Sequence, residues 1–450
     1  MKKIPFLLLL LALAAGMRAQ ELLTLEQCRE MALRHNKELA ASGKQRLYAD
    51  YMQKSVRANF LPNISASGTG LYSNADGSFG VAGGNLPVLT PDLATGQFIP
   101  NGNYAYFPGL NLDYKVGTLY TAGISLEQPL YMGGKIRAAY RVASLSREMA
   151  RLNEALTTTE VLLKTDEAFA NVVKARELKS VAEKYNTLLK TLLRDVKNAR
   201  RHGLTAKNDV LKVQVRLNES ELSLRRADNG LRLATMNLCH CIGRPLLSSV
   251  EVSGDLPSVP ELDTRQSDIT GRPEYAILQK QTDIAHQQVK LSRSEMLPQV
   301  GIRGSYNYLH GLEVNNETLL DKGSFSVMLN VTLPLFHFGE RSNKVRAARM
   351  KLEQTRLEQE NLNEQMQLQL MQAANNLDEA RLELTLARQS LTQADENMRI
   401  SRKQYDAGLE TLSDHLEAQV LWQQAYQQQV ESAYALYLRY VEYRKAAGME

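Results

Sequence analysis

The sequence predicts a mixed α and β protein in which long helical hairpins carry a small set of amphipathic strands. Three observations predict it: an internal duplication, a run of about 66 residues between Gly339 and Tyr405 that holds neither proline nor glycine, and short stretches in which apolar and polar residues alternate.

The duplication is read from landmarks that stay in register. Asn36-Lys37-Glu38-Leu39 and Leu61-Pro62 lie 236 residues before Arg272-Pro273-Glu274-Tyr275 and Leu297-Pro298. Pro129-Leu130-Tyr131 with Gly134, and Gly203-Leu204 with Asp209, lie 205 residues before Pro334-Leu335-Phe336 with Gly339, and Gly408-Leu409 with Asp414. Self-similarity of this kind marks two copies of one supersecondary unit. They span about 22–242 and 272–447, each read as helix, strand, loop, strand, long helix, glycine turn, helix. The offset drops by 31 residues between Pro62 and Pro129. Residues 73–117 are rich in Gly, Asn, Pro and Asp, so one long loop is expected to hold the excess.

The chain starts with Lys2 and Lys3, an apolar run from Ile4 to Ala15 and then small residues to Ala19. These zones predict a secretory signal over residues 1–19 and a mature chain from about Gln20, with cleavage after Gly16 as the alternative. No cysteine closes the apolar run, so lipid attachment is not expected. Beyond it no stretch of about 18 apolar residues occurs, which leaves strands as the only way into a membrane.

Strands are predicted near 63–72, 118–130, 299–309 and 324–336. Val300, Ile302, Tyr306 and Tyr308 alternate with Gln299, Arg303, Ser305 and Asn307, and Phe325, Val327, Leu329, Val331 and Leu333 with Ser324, Ser326, Asn330 and Thr332. This period of two gives each strand one apolar face. Taken alone it also fits a soluble sandwich. Helix length argues against that: about 66 helical residues at about 1.5 Å each run for on the order of 100 Å, deeper than a globular core.

Within that helix Leu370, Ala373, Leu377, Ala380, Leu384, Ala387, Leu391, Ala394 and Met398 follow the 3-4 spacing of a supercoiled seam. A looser version holds Ala168, Val172, Ala175, Ala182, Tyr185, Leu189, Leu192, Val196 and Ala199. Strands of about ten residues, tilted, match a membrane's thickness. Four cannot close a barrel, and lipid does not tolerate open edges, so several chains must contribute strands to one barrel.

Composition excludes other classes. The formal charge of +5 falls to +2 when Lys2, Lys3 and Arg18 are removed, which argues against a nucleic-acid partner. Three cysteines cannot form a disulfide framework. Cys239-His240-Cys241 has metal-ligand residue types, but consecutive positions on a helix point apart and no second cluster completes the set, so neither metal nor cofactor is expected. Neither nucleophile elbow nor phosphate loop is found, so no catalytic residue is assigned. Tyr72, Tyr120, Tyr306 and Tyr308 fit an interfacial aromatic belt or plain strand packing.

In its duplication, its Leu-Pro entries at Leu61-Pro62 and Leu297-Pro298, its exits at Gln128-Pro129-Leu130-Tyr131 and Leu333-Pro334-Leu335-Phe336, and its two glycine tips, nearly the whole mature chain resembles the TolC-type outer-membrane factors. The resemblance implies a homotrimer. Four strands per chain would complete a 12-stranded β-barrel in outer-membrane lipid, continued by a 12-helix α-barrel across the periplasm and girdled by an equatorial segment near 243–271. It implies the outer-membrane channel of a tripartite efflux or type I secretion system, not an enzyme. A periplasmic adaptor and an inner-membrane pump of the RND, ABC or similar type would open it by sliding the second helix pair past its neighbours.

By the same resemblance the second hairpin narrows the entrance through an aromatic three residues before the glycine and acids six and nine after it: Tyr405, Asp414 and Glu417. Three copies would give two carboxylate rings that favour cations. A solvated acidic helix face is the plainer reading. Glu410 stands where well-studied members carry an arginine that ties neighbouring helices, leaving Arg399, Arg402 or Lys403 to replace that link. Gly203, Leu204, Gly408 and Leu409 are the implied adaptor contacts, with ordinary helix capping as the alternative. Lys212 stands opposite Glu417 in the repeat, so entrance charge is expected mainly from the second hairpin. A periplasmic coiled-coil adaptor or scaffold would share the long hairpins but not the two strand pairs. A soluble secreted enzyme would need a convergent His, Asp or Ser cluster.

Overall fold

The computed structural model describes residues 22–262 and 268–449; the expected signal over 1–19 lies outside them. In chain order the elements are β1 (Leu22–Leu23), α1 (Leu25–His35), α2 (Lys37–Ala58), β2 (Asn63–Val81), β3 (Gly84–Pro91), β4 (Phe98–Phe107), β5 (Leu110–Met132), α3 (Lys135–Arg201), α4 (Lys207–Cys241), β6 (Glu251–Val252), α5 (Pro273–Ser294), β7 (Gln299–Val314), β8 (Glu317–Thr332), α6 (Glu340–Asp406) and α7 (Leu412–Ala446). α2 and α5 both hold 22 residues, α3 and α6 both 67, and α4 and α7 both 35. The chain divides into two compact units, one mostly helical and one built around Met52–Ala143 and His286–Met350.

In the helical unit most of the seam is buried, while Ala175, Ala199, Ala373, Leu391, Ala394 and Met398 are half-buried. Ala168, Val172, Tyr185, Leu189, Leu192 and Val196 of α3, and Leu370, Leu377, Ala380, Leu384 and Ala387 of α6, are all buried. One core gathers Leu23, Cys28, Phe169, Val172, Leu238 and Ile242 around β1, which pairs in parallel with β6. Another gathers Ile269, Leu370, Leu377 and Tyr443. β6 is the only strand among the described residues of the expected equatorial segment, 243–262 and 268–271.

An ion pair on a buried carboxylate ties distant parts of this unit. Arg29 on α1 grips Asp166 on α3 with two parallel bonds of 2.7 and 2.5 Å, and the Tyr437 hydroxyl on α7 donates to the same carboxylate at 3.4 Å. The bidentate bond raises the Arg29 pKa, and burial raises that of the Tyr437 phenol. Asp166 is buried, so loss of Arg29 would leave a desolvated carboxylate uncompensated.

The other unit holds a four-stranded antiparallel sheet in the order β2-β5-β7-β8. Its register makes each face uniform. Ser65, Ser125, Ser305 and Ser326 form one row across the strands, hydrogen-bonded in pairs at 2.9 Å, and Glu127 pairs with Arg303 at 3.2 Å on the same face. The adjacent row, on the opposite face, is Ala66, Ile124, Tyr306 and Phe325. Ile64, Ile124, Phe325, Val327, Leu329 and Val331 are all exposed there, Phe325 by 73%. Further out on that face Tyr120 stacks on His310 at 4.7 Å, and both Tyr308 and His310 bond Asp321.

The strands run further than the alternation shows. β2 extends to Val81 and β5 starts at Leu110 because the ladder continues past irregularities at Ser73/Asp76 and Lys115/Tyr120, where the side-chain pattern is interrupted. The expected long loop over 73–117 is therefore mostly strand, and its centre is a separate ribbon, β3 paired with β4. At the other end β8 stops at Thr332, before Leu333-Pro334, since proline offers no N–H to the ladder.

Leu377 is fully buried against Tyr443 in the helical core. Leu377→Ala should destabilise that unit by about 2–5 kcal/mol, read as a lower midpoint for loss of helical circular dichroism, whereas Leu382→Ala, at an exposed position of the same helix, should leave the midpoint unchanged.

Candidate functional site

The two hairpin tips are built alike. At the end of α3, Gly203 N–H bonds the Arg200 carbonyl at 3.0 Å and Leu204 N–H bonds Ala199 at 3.0 Å. At the end of α6, Gly408 bonds Tyr405 at 3.0 Å and Leu409 bonds Gln404 at 2.8 Å. This paired closure needs a left-handed residue, and the glycines supply it with φ of 75° and 72°. The leucine that follows each is turned outward and 80% exposed. Gly203, Leu204, Gly408 and Leu409 thus cap their helices and also present two bare apolar side chains to solvent.

Beneath the turns both hairpins share one core. Leu189, Val196, Val210 and Val213 from the first pack with Leu412 and Leu416 from the second, with Tyr405 and Trp422 at its margin. Lys212 reaches across from α4 to the Ser413 hydroxyl on α7 at 3.2 Å and lies 3.7 Å from Asp209. Lys184 of α3 bonds the Tyr426 hydroxyl at 3.1 Å, and Lys174 sits 4.0 Å over the Tyr434 ring. The seam between α3 and α7 is therefore lined with lysines resting on tyrosines.

The expected entrance residues separate into two groups. Asp414 and Glu417 are exposed on α7. Asp414 completes the helix start: Thr411 accepts its N–H at 3.2 Å and donates to its carboxylate at 2.7 Å. Glu417 lines an open groove between α4 and α7 that also holds Lys212 and Arg216. Tyr405 and Glu410 turn inward instead. Tyr405 stacks on His415, ring centroids 5.0 Å apart and 5° from parallel, and burial with nearby Asp209 and Asp406 raises its pKa.

Glu410 belongs to a buried polar chain that nothing in the tip pattern announced. The Ser401 hydroxyl donates to Glu410 Oε1 at 2.9 Å, His415 Nδ1 lies 2.9 Å from the same hydroxyl, and His415 Nε2 lies 2.9 Å from Gln419 Nε2. With the serine proton given to Glu410, the imidazole carries its proton on Nδ1 and accepts at Nε2 from the Gln419 amide. Ser401, His415 and Gln419 are buried, and Glu410 Oε2 and Gln419 Oε1 have no partner among the described residues. The chain joins the end of α6 to the start of α7. One cue was legible: His415 stands between Leu412 and Leu416, on the apolar side of its helix. Of the cations expected to replace the arginine link, Arg399 is held by Glu396 on its own helix, with Nε bonded at 2.6 Å. Arg402 and Lys403 are exposed.

Cys239 and Cys241 are buried in the core that also contains Cys28, while His240 points to solvent. Burial pushes the Cys28 thiol up to about 11 and raises the other two. No group of three or more His, Cys, Asp or Glu that could hold a metal occurs among the described residues.

A profile described as outer membrane efflux protein matches residues 28–244 and 269–449. The chain belongs to that family, the TolC-type channels. Toxin and drug export protein A of Aggregatibacter actinomycetemcomitans is 23% identical over 86% of this chain and 78% of that protein. The alkaline protease secretion protein AprF of Pseudomonas aeruginosa is 24% identical over about half of each chain, 52% and 50%. Among solved structures, the CmeC outer membrane channel of Campylobacter jejuni superposes with a TM-score of 0.76 at 19% identity, covering 94% of this chain and 85% of that one. VceC of Vibrio cholerae gives 0.74 at 14%, covering 95% and 97%. This efflux protein is thus an outer-membrane channel of the efflux and type I secretion class, extending into the periplasm, and a transport protein rather than an enzyme. Channels of its family work with an adaptor and an inner-membrane pump.

Burial holds the His415 pKa below the ordinary 6.5, reinforced by Arg402 and opposed by Glu410 and Asp406. A folded imidazole that resists protonation loses ground to the unfolded chain once pH falls through 6.5. Amide exchange of residues 401–419, corrected for intrinsic rate, should therefore be faster at low pH than at neutral pH, and His415→Gln should flatten that dependence. Equal profiles for the two proteins would remove His415 from the tip's stability.

Proposed function

We propose that three copies of this chain form one passive conduit. Their four-stranded sheets close a 12-stranded barrel in the outer membrane, and the paired long helices of each copy continue it as a 12-helix barrel in the periplasm. The observation that carries this is the sheet itself: one exposed apolar face, one polar face laced by serines, and free edges at β2 and β8. Such a sheet fits lipid on one side and water on the other once copies pair edge to edge. Protein purified in detergent should have the mass of a trimer; a monomer at high concentration would end the shared-barrel reading.

The periplasmic entrance lies at the tips. Glu417 and Asp414 supply acidic rings there, Tyr405 and Glu410 hold the second hairpin's own shape, and Leu204 and Leu409 with their glycines offer apolar contacts to an adaptor. An inner-membrane pump of the RND, ABC or similar type drives transport, and cargo choice resides with the pump. The names of the relatives cover both drug export and protease secretion, which suits a conduit whose own walls do no chemistry.

Because Asp414 is engaged by Thr411 and Glu417 is free to face the groove, Glu417→Gln should remove more of the cation preference than Asp414→Asn. Reversal potentials across a planar bilayer under a salt gradient read this directly. Unchanged selectivity in the double variant would take both residues out of the entrance.

A further inference from the structure

The segment in excess over the second repeat forms a built object, and the channel reading leaves it unused. Gly109, at φ 74°, packs so closely on Val81 and Gly83 that a Cβ there would lie 2.7 Å from the Gly83 nitrogen. That contact fixes the root of the β3–β4 ribbon. The helices join β2 and β5 at Asn63 and Met132, so the ribbon sits at the opposite end of these strands. The β7–β8 turn is tied to the same end, where Asp113 N–H bonds Asn315 Oδ1 at 2.9 Å and Asn315 N–H bonds the Asp113 carbonyl at 2.8 Å.

Both faces of the ribbon are apolar and bare. The register places Leu89, Phe98, Tyr104 and Tyr106 on one face and Leu86 and Ile99 on the other, all exposed. Asp92 is the only charged residue between Asp76 and Asp113. Its carboxylate is used within its own turn, by the Ala94 N–H at 3.0 Å and the Thr95 hydroxyl at 2.7 Å. A lone two-stranded ribbon is marginal in water. Lipid is a poor cover, because both ribbon edges carry unpaired backbone groups that hydrocarbon cannot satisfy. An ionic partner has nothing to grip. A second copy of the ribbon meets every requirement: it offers matching apolar faces and open edges, and it is carried by β2, the edge strand along which copies of this chain must pair.

We infer that the β3–β4 ribbons of neighbouring subunits pack on one another at the outer mouth of the barrel and narrow it with a collar of aromatic side chains. This rests on the trimeric reading above. Leu93, fully exposed in the ribbon's turn, is a site where a substitution leaves the fold undisturbed, and the three native cysteines are buried. In full-length Leu93→Cys protein reconstituted in lipid vesicles, a short bismaleimide should shift most of the chain from the monomer band to dimer and trimer bands on a denaturing gel, with the parent protein unchanged. Adding Phe98→Lys and Tyr104→Lys places like charges in every ribbon. It should abolish the cross-link and raise single-channel conductance. A protein that runs as a trimer yet gives no cross-link overturns the collar and leaves the shared barrel standing. A protein that runs as a monomer overturns the underlying reading instead. Quenching of a fluorophore attached to the thiol of the Leu93→Cys protein, by lipids brominated on the acyl chain, would assign the ribbon to the membrane and also overturn the collar.

Discussion

The structure turns on the hydrogen-bond balance of one small sheet. Two of its four strands, β5 and β7, are paired on both sides, and the other two, β2 and β8, offer a free row of N–H and C=O groups each. Water satisfies such an edge and hydrocarbon does not. Yet one face of the same sheet is apolar and exposed across all four strands. In the proposed barrel, a surface that seeks lipid and edges that cannot enter it alone are reconciled by neighbours of the same kind. The serine row on the other face fits the same arrangement, since small hydroxyls pair across strands and tolerate water beyond.

The helical unit solves a different problem with few residue types. Alternating large and small side chains along α3 and α6 bury a narrow seam and leave most of each helix to solvent, so stability is spread thinly over many turns. Specific polar links supplement it both within and between the two halves. The Arg29, Asp166 and Tyr437 cluster lies at one level, and the lysine-on-tyrosine contacts line the α3 and α7 seam. At the tip, Ser401, Glu410 and His415 bind the second hairpin to itself. Glu410, at the position where the resemblance led to an expected arginine, is thereby drawn into the hairpin, while Glu417, Asp414 and the two tip leucines stay exposed.

Much of this was legible because it is local or repeated. Glycine tips, Leu-Pro strand entries and the 3-4 seam are written in short patterns, and the offset of 205 placed the ends of α3, α4, α6 and α7 in matching registers. What escaped was long-range or shifted in phase. The alternation that marks strands is interrupted near Ser73 and Lys115, so the outer reaches of β2 and β5 looked like loop. Glycine, asparagine, proline and aspartate over 73–117 read as one long loop, although Gly83 and Gly109 at the ribbon's root form a tight joint. Ser401, His415 and Gln419 each look ordinary in sequence. Their role appears only when α7 folds back on α6 and places them together. Likewise Cys28 gave no hint that it shares a core with Cys239.

The central pairing of the sheet is between β5 and β7, one strand from each half of the chain. Before the second half has been exported, the first owns only the β2–β5 hairpin, and such a pair is marginal by itself. Asp166 likewise awaits Tyr437, far along the polypeptide. A nascent chain therefore has no finished sheet to commit to a bilayer until β8, which ends at Thr332, has arrived.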